Sequence, residues 1–149
     1  MDSGELLRAR EKAMTLLSYN DRTEWELMDK LSCAGFSEEA VNGAIEYVKS
    51  FHYIDDERYA VRFVDIYHKS RSKKRLWQDL TKKHVPEEYI SIALESIEDG
   101  DSEAINKEIQ KILKGRDLEG LSYEERQKMA AKLYRKGFLV SDIRKKARL

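Results

Sequence analysis

Apolar residues recur along this chain at helical spacing, in a pattern written three times. Leu27, Leu31, Gly35, Phe36, Val41 and Ile45 align with Leu76, Leu80, His84, Val85, Ile90 and Leu94, and again with Met129, Leu133, Gly137, Phe138, Ile143 and Ala147. The two steps are 49 and 53 residues. Each copy reads as an apolar i, i+4 pair on one helix, a tight turn, and a second helix. None of it alternates with the period of two that a half-buried strand requires. A further helix precedes each copy, over about 5–19 (Leu6, Ala13, Leu17), about 56–69 (Tyr59, Phe63, Tyr67) and about 102–114 (Ile105, Ile109, Leu113). The predicted fold is therefore all-α: three tandem three-helix repeats, at 1–54, 55–100 and 101–149. One such unit cannot bury its own apolar stripe, so stacking into an elongated, curved body is expected.

The ends of the predicted helices carry their own chemistry. Thr23 with Glu26, and Ser122 with Glu125, have the spacing of capping boxes, in which hydroxyl and carboxylate each satisfy a free backbone N–H. Gly35 and Gly137 stand where a helix must end in a left-handed residue, and His84 takes that place in the middle copy. Pro86 is expected at or near the first position of the next helix, and Ser37 and Ser141 are expected to open the matching helices of the outer copies.

Composition supports the helical reading: one Pro and seven Gly in 149 residues leave few breakers. The apolar runs are too short to span a bilayer, the acidic N-terminus does not resemble a secretory signal, and a single Cys33 fits a reducing compartment. A cytoplasmic protein is expected. The net charge is zero but strongly segregated. Residues 69–83 hold seven bases against Asp79; residues 85–106 hold seven acids, Glu98 and Asp99 among them, and no base; residues 132–148 hold seven bases against Asp142. Blocks of this kind create local potentials that the total conceals, although any one of them also fits an ordinary solvated helix face.

The residues suggest no catalytic centre, and the chain is expected not to be an enzyme. His52, His68 and His84 lie sixteen residues apart, without an i, i+4 pair or a second Cys, so neither a metal nor another cofactor is expected. Asp55-Asp56-Glu57 reads as helix capping rather than a cation site. Cys33 reads as a packing residue, and Tyr59, Phe63 and Tyr67, spaced i, i+4, i+8, as a packed stripe. Trp77, beside three bases, suits either helix packing or stacking on a partner.

The run from Phe51 to Val64, with Asp55-Asp56-Glu57-Arg58-Tyr59-Ala60 at its centre, resembles the signature of the RecX family. The basic stretch Ser70-Arg71-Ser72-Lys73-Lys74-Arg75 leading into Leu76-Trp77-Gln78-Asp79-Leu80 is similar to its second hallmark, and Arg22-Thr23 before Glu26-Leu27 and Lys30-Leu31 to its first-unit pattern. The likeness spans roughly residues 10–149. His84 stands where the family usually has Gly, and Lys73 where Gly is common.

The resemblance implies a non-enzymatic regulator of DNA recombination and repair and of the SOS response. Such a protein binds the RecA–DNA filament and modulates, usually inhibits, the RecA recombinase. A monomer is expected, meeting RecA and the DNA within or beside it. The candidate interface comprises Arg71, Lys73, Lys74, Arg75, Lys82 and Lys83, supported by Arg135, Lys136, Arg144 and Lys145. Two other readings stay open: a free-standing helical DNA-binding protein and a protein-only helical adaptor. Against the first, the bases are Lys-heavy and no Asn or Gln cluster marks a base-reading helix.

Overall fold

The computed structural model describes residues 3–97 and 100–149, so Met1, Asp2 and the acidic pair Glu98 and Asp99 lie outside the described residues. Among these residues the fold is all-α, with no strand. In chain order the helices are α1 (Ser3–Tyr19), α2 (Glu24–Cys33), α3 (Glu38–Ser50), α4 (Asp56–Tyr67), α5 (Lys73–Lys82), α6 (Glu87–Glu95), α7 (Ser102–Leu113), α8 (Tyr123–Arg135) and α9 (Val140–Ala147). A single 3-10 turn at Leu118–Gly120, which the apolar pattern does not announce, precedes α8.

The threefold apolar register is also the register of burial. Leu27 and Leu31, Leu76 and Leu80, and Leu133 are fully enclosed, and Met129 is 1% exposed. Val41, Val85, Ile90, Phe138, Ile143 and Ala147 are buried with them. Packing divides the chain into two compact units, one of Met1–Arg62 with Leu80–Ile90 and the other of Phe63–Asp79 with Ser91–Leu149. In the first, α1 presents Ala9 and Ala13 to α3, where small side chains let the two helices approach closely. Gly43 of α3 belongs to the same contact: a Cβ there would lie 2.6 Å from Leu6 Cδ1. In the second, Ile105, Ile109 and Leu113 of α7 pack on Met129 and Leu133 of α8 and on Ile143 and Ala147 of α9.

Helix ends follow the local chemistry in most places. Thr23 and Ser122 form complete capping boxes with Glu26 and Glu125, and the Ser37 hydroxyl accepts from Ala40 N–H. Gly35, His84 and Gly137 all have positive φ, at 93°, 60° and 97°. His52 adopts the same conformation (φ 58°) after α3, which the repeat did not indicate. Pro86 immediately precedes α6. Two expectations are corrected. Ser141 does not open the last helix, because α9 starts at Val140 with Leu139 as its uncapped N-terminal residue. Cys33 is exposed rather than packed, since it ends α2 on the side away from Leu27 and Leu31.

Each compact unit also contains the same long-range joint. The Thr23 hydroxyl accepts from Glu26 N–H and donates to the Lys83 carbonyl at 2.8 Å. The Ser72 hydroxyl accepts from Arg75 N–H and donates to the Lys136 carbonyl at 3.2 Å. An aspartate two helices further on completes each joint: Asp56, the first residue of α4, accepts from Glu24 N–H at 2.9 Å, and Asp101, just before α7, accepts from Lys73 N–H at 2.7 Å. In this way two of the free N–H groups at the start of each of α2 and α5 are satisfied, and so is one carbonyl at the end of each of α5 and α8.

Candidate partner and nucleic-acid interface

The joint in the second unit fixes the start of α5 and with it the first group of candidate bases. Ser72 is buried as the N-cap, so Arg71 and Lys73 flank a rigid point. The Arg71 guanidinium lies over the Tyr67 ring, 3.9 Å from its centroid, and 5.7 Å from that of Phe63. It also donates to Asp79 Oδ2 at 2.9 Å, while Arg75 Nε donates to Oδ1 of the same carboxylate at 2.9 Å. Asp79 therefore holds two guanidiniums in fixed orientation. Lys74 is exposed and Lys73 half-buried, and neither forms an ion pair among the described residues.

The bases at the far end of α5 divide between two roles. Lys82 is exposed. Lys83 is half-buried in the first unit, with its ammonium 3.3 Å from Glu26 Oε2 and 6.0 Å from the Tyr59 ring centroid. Burial pushes its pKa down, but Tyr59 and Glu26 outweigh that and hold it above the ordinary lysine value. The next residue, His84, stacks on Trp25 at 4.0 Å with the rings 16° apart. Lys83 thus has a structural place of its own, as its carbonyl's bond to Thr23 also indicates.

In the second unit Lys136 is tied down in the same way. Its carbonyl accepts from Ser72 and its ammonium meets Glu108 Oε2 at 2.7 Å. The Glu108 side chain is only 7% exposed. Burial pushes its carboxyl pKa up, yet the hydrogen bonds and charges of Lys136 and Lys111 win and hold it below the usual carboxylate range. Arg135, Arg144 and Lys145 are exposed and form no ion pair among the described residues. Of the ten candidates, then, Arg71, Arg75, Lys83 and Lys136 are held by carboxylates, and the other six form no ion pair among the described residues. The contributions of Lys111, Glu108, Ser72 and Asp101 were not anticipated. Three of them, Ser72, Glu108 and Asp101, are neutral or acidic residues in contact with bases 64 or 28 positions away, a pairing that no local spacing signals.

Among the described residues no group of three or more His, Cys, Asp or Glu side chains is placed to hold a metal ion. None of the helices is long and apolar enough to cross a membrane.

Comparison with known proteins matches residues 9–47 to the family description "RecX, first three-helix domain" and residues 55–94 to "RecX, second three-helix domain". A protein named regulatory protein RecX from Caldanaerobacter subterraneus subsp. tengcongensis is 37% identical over 142 residues, covering 95% of this chain and 70% of its own length. One of the same name from Clostridium botulinum is 30% identical, covering 95% and 69%. The crystal structure of RecX from Lactobacillus salivarius superposes with a TM-score of 0.79 over 95% of this chain and 94% of its own, at 23% identity. A second crystal structure, of regulatory protein RecX, gives 0.81 over 97% and 71%, at 24% identity. At those identities the two structures speak for the fold alone.

Proposed function

Because this chain belongs to the RecX family, we propose that it is a regulatory protein that binds the RecA–DNA filament and damps RecA recombinase activity. The observation that carries this reading is the family match over 9–47 and 55–94, the second of which contains the basic start of α5. The geometry suits it: Lys73 and Lys74 project from a helix start fixed by Ser72 and Asp101, so charge is offered from a rigid platform. Lys82, Arg135, Arg144 and Lys145 are further bases through which the protein meets the filament and its phosphates. Arg71, Arg75, Lys83 and Lys136 act there from positions set by Asp79, Glu26 and Glu108. The protein works as a monomer in the cytoplasm, in recombination, repair and the SOS response, and catalyses no reaction itself. Its three repeats lie at 1–54, 55–100 and 101–149.

RecA-driven strand exchange and ATPase, measured with this protein and with a K73E/K74E/R75E variant, test the proposal. Each phosphate contact steepens the salt dependence of binding by a slope of roughly 0.9 on duplex or 0.7 on single-stranded DNA. The triple reversal should therefore weaken filament binding and flatten that slope while helicity stays intact. If the parent leaves RecA unaffected but binds naked DNA tightly, the protein is a DNA-binding module and this reading is wrong.

A further inference from the structure

The second compact unit contains an open cleft of about 280 Å³ where the start of α5 faces α7 and the turn after α8. Four bases line it: Arg71, Arg75, Lys111 and Lys136, with the Ser72 hydroxyl and the Glu108 carboxylate between them. We infer that this cleft is a preformed site for one phosphate group, built by Arg71, Arg75, Lys111 and Lys136.

Charge balance is the first support. Four cations are compensated by only two carboxylates, Asp79 and Glu108, which leaves two positive charges in excess. Preorganisation is the second. Asp79 takes one N–H from each guanidinium, so both retain donors, and the Tyr67 ring fixes the plane of Arg71. Glu108 does not oppose an anion at close range, because its Oε1 is taken by Lys111 at 3.5 Å and its Oε2 by Lys136 at 2.7 Å. Guanidinium forks beside ammonium point charges suit the several acceptor oxygens of a phosphate.

The walls are also set close together by a residue that cannot be enlarged. A Cβ at Gly137 would lie 2.9 Å from Ser72 Oγ and 3.5 Å from Lys74 Cβ, and Gly137 has a φ of 97° that other residues rarely adopt. The turn after α8 therefore sits directly against the start of α5, and Lys136 is delivered into the cleft by its neighbour's lack of a side chain.

That the phosphate belongs to a nucleic-acid backbone rests on the function proposed above, whereas the anion site itself does not. Lys111 is the residue to change, because it lies outside the candidate interface and its loss leaves Glu108 paired with Lys136. The full chain would be titrated with inorganic phosphate and, separately, with a short oligothymidylate, following backbone amides and arginine Nε–H resonances by NMR. Both ligands should shift the same resonances, those of Arg71, Ser72 and Arg75. Lys111→Ala should weaken phosphate binding several-fold and make the oligonucleotide salt slope shallower by about 0.7, and Lys111→Arg should restore both. Phosphate shifts spread evenly over all the bases, or unchanged binding by Lys111→Ala, would overturn the site. Phosphate binding in the cleft without competition by the oligonucleotide would overturn the backbone assignment. A parent protein that leaves RecA unaffected while still binding phosphate here would sink the proposed function and not this site.

Discussion

Leu31, Leu80 and Leu133 stand at the same point of the three copies, and each is 0% exposed. Truncating a leucine so enclosed removes apolar contact and leaves a cavity, so each Leu→Ala change should cost about 2–5 kcal/mol of stability in urea unfolding. A loss below about 0.5 kcal/mol at all three would mean that the repeat register is wrong. These residues were legible because burial in a helix bundle imposes a period, and a period repeated three times is hard to imitate by chance. His84 was legible for another reason: it occupies a slot that glycine fills in the other two copies, so the slot, rather than the residue, fixed its backbone. His52 has no such counterpart in the alignment and its positive φ went unread. Cys33 was misread because a residue two places beyond an enclosed leucine has already turned to the solvent side of the helix.

At the scale of the helix, three hydroxyl caps do unequal work. Ser122 is exposed and serves α8 alone, whereas Thr23 and Ser72 are buried and also donate to the Lys83 and Lys136 carbonyls. Ser122→Ala should therefore cost about 1 kcal/mol, the usual worth of a cap. Ser72→Ala should cost about 0.5–1.5 kcal/mol more, because it removes the bond to the Lys136 carbonyl as well as the cap. Equal losses at the two serines, by urea midpoint, would show that the Lys136 bond contributes nothing. The capping half of this arrangement lies within three residues and was read from spacing. The other half spans 60 or 64 residues and follows only from how the helices pack. Asp56 adds a pH dependence. Burial, with the nearby charges of Glu24 and Asp55, lifts its pKa above the ordinary value despite the Glu24 N–H bond and Lys49. The folded chain then holds the proton more tightly than the unfolded one, so the Asp56 contribution to stability declines as pH rises from the ordinary Asp value of about 3.9 through the raised folded value. Asp56→Asn keeps an acceptor for Glu24 N–H and removes the charge. It should be at least as stable as the parent at pH 7, with the advantage vanishing in acid. An Asn variant weaker than the parent by more than about 1 kcal/mol at pH 7 would contradict this.

Over the whole molecule, the zero net charge conceals bases that belong to two populations. Segregation into blocks was visible in the sequence, but which bases are consumed by Asp79, Glu26 and Glu108 depends on contacts that link distant helices. The copies that repeat in sequence are also not the bodies that pack. Each compact unit is assembled from two separated stretches of chain, and α4 and α5 both contribute residues to each. This has a consequence for taking the protein apart. A piece ending at residue 54 keeps α2 but lacks Lys83, so the Thr23 hydroxyl, 0% exposed in the intact chain, loses its acceptor and its cover. A piece beginning at residue 101 keeps Lys136 and loses the Ser72 donor. Both pieces should melt well below the intact chain and over a broader range by circular dichroism. A piece that melts as sharply and as high would show that a single copy stands alone. Copies so interleaved resist shuffling: a gene can duplicate the three-helix segment cleanly, but deleting the middle copy removes parts of both bodies at once, which favours keeping that copy over descent.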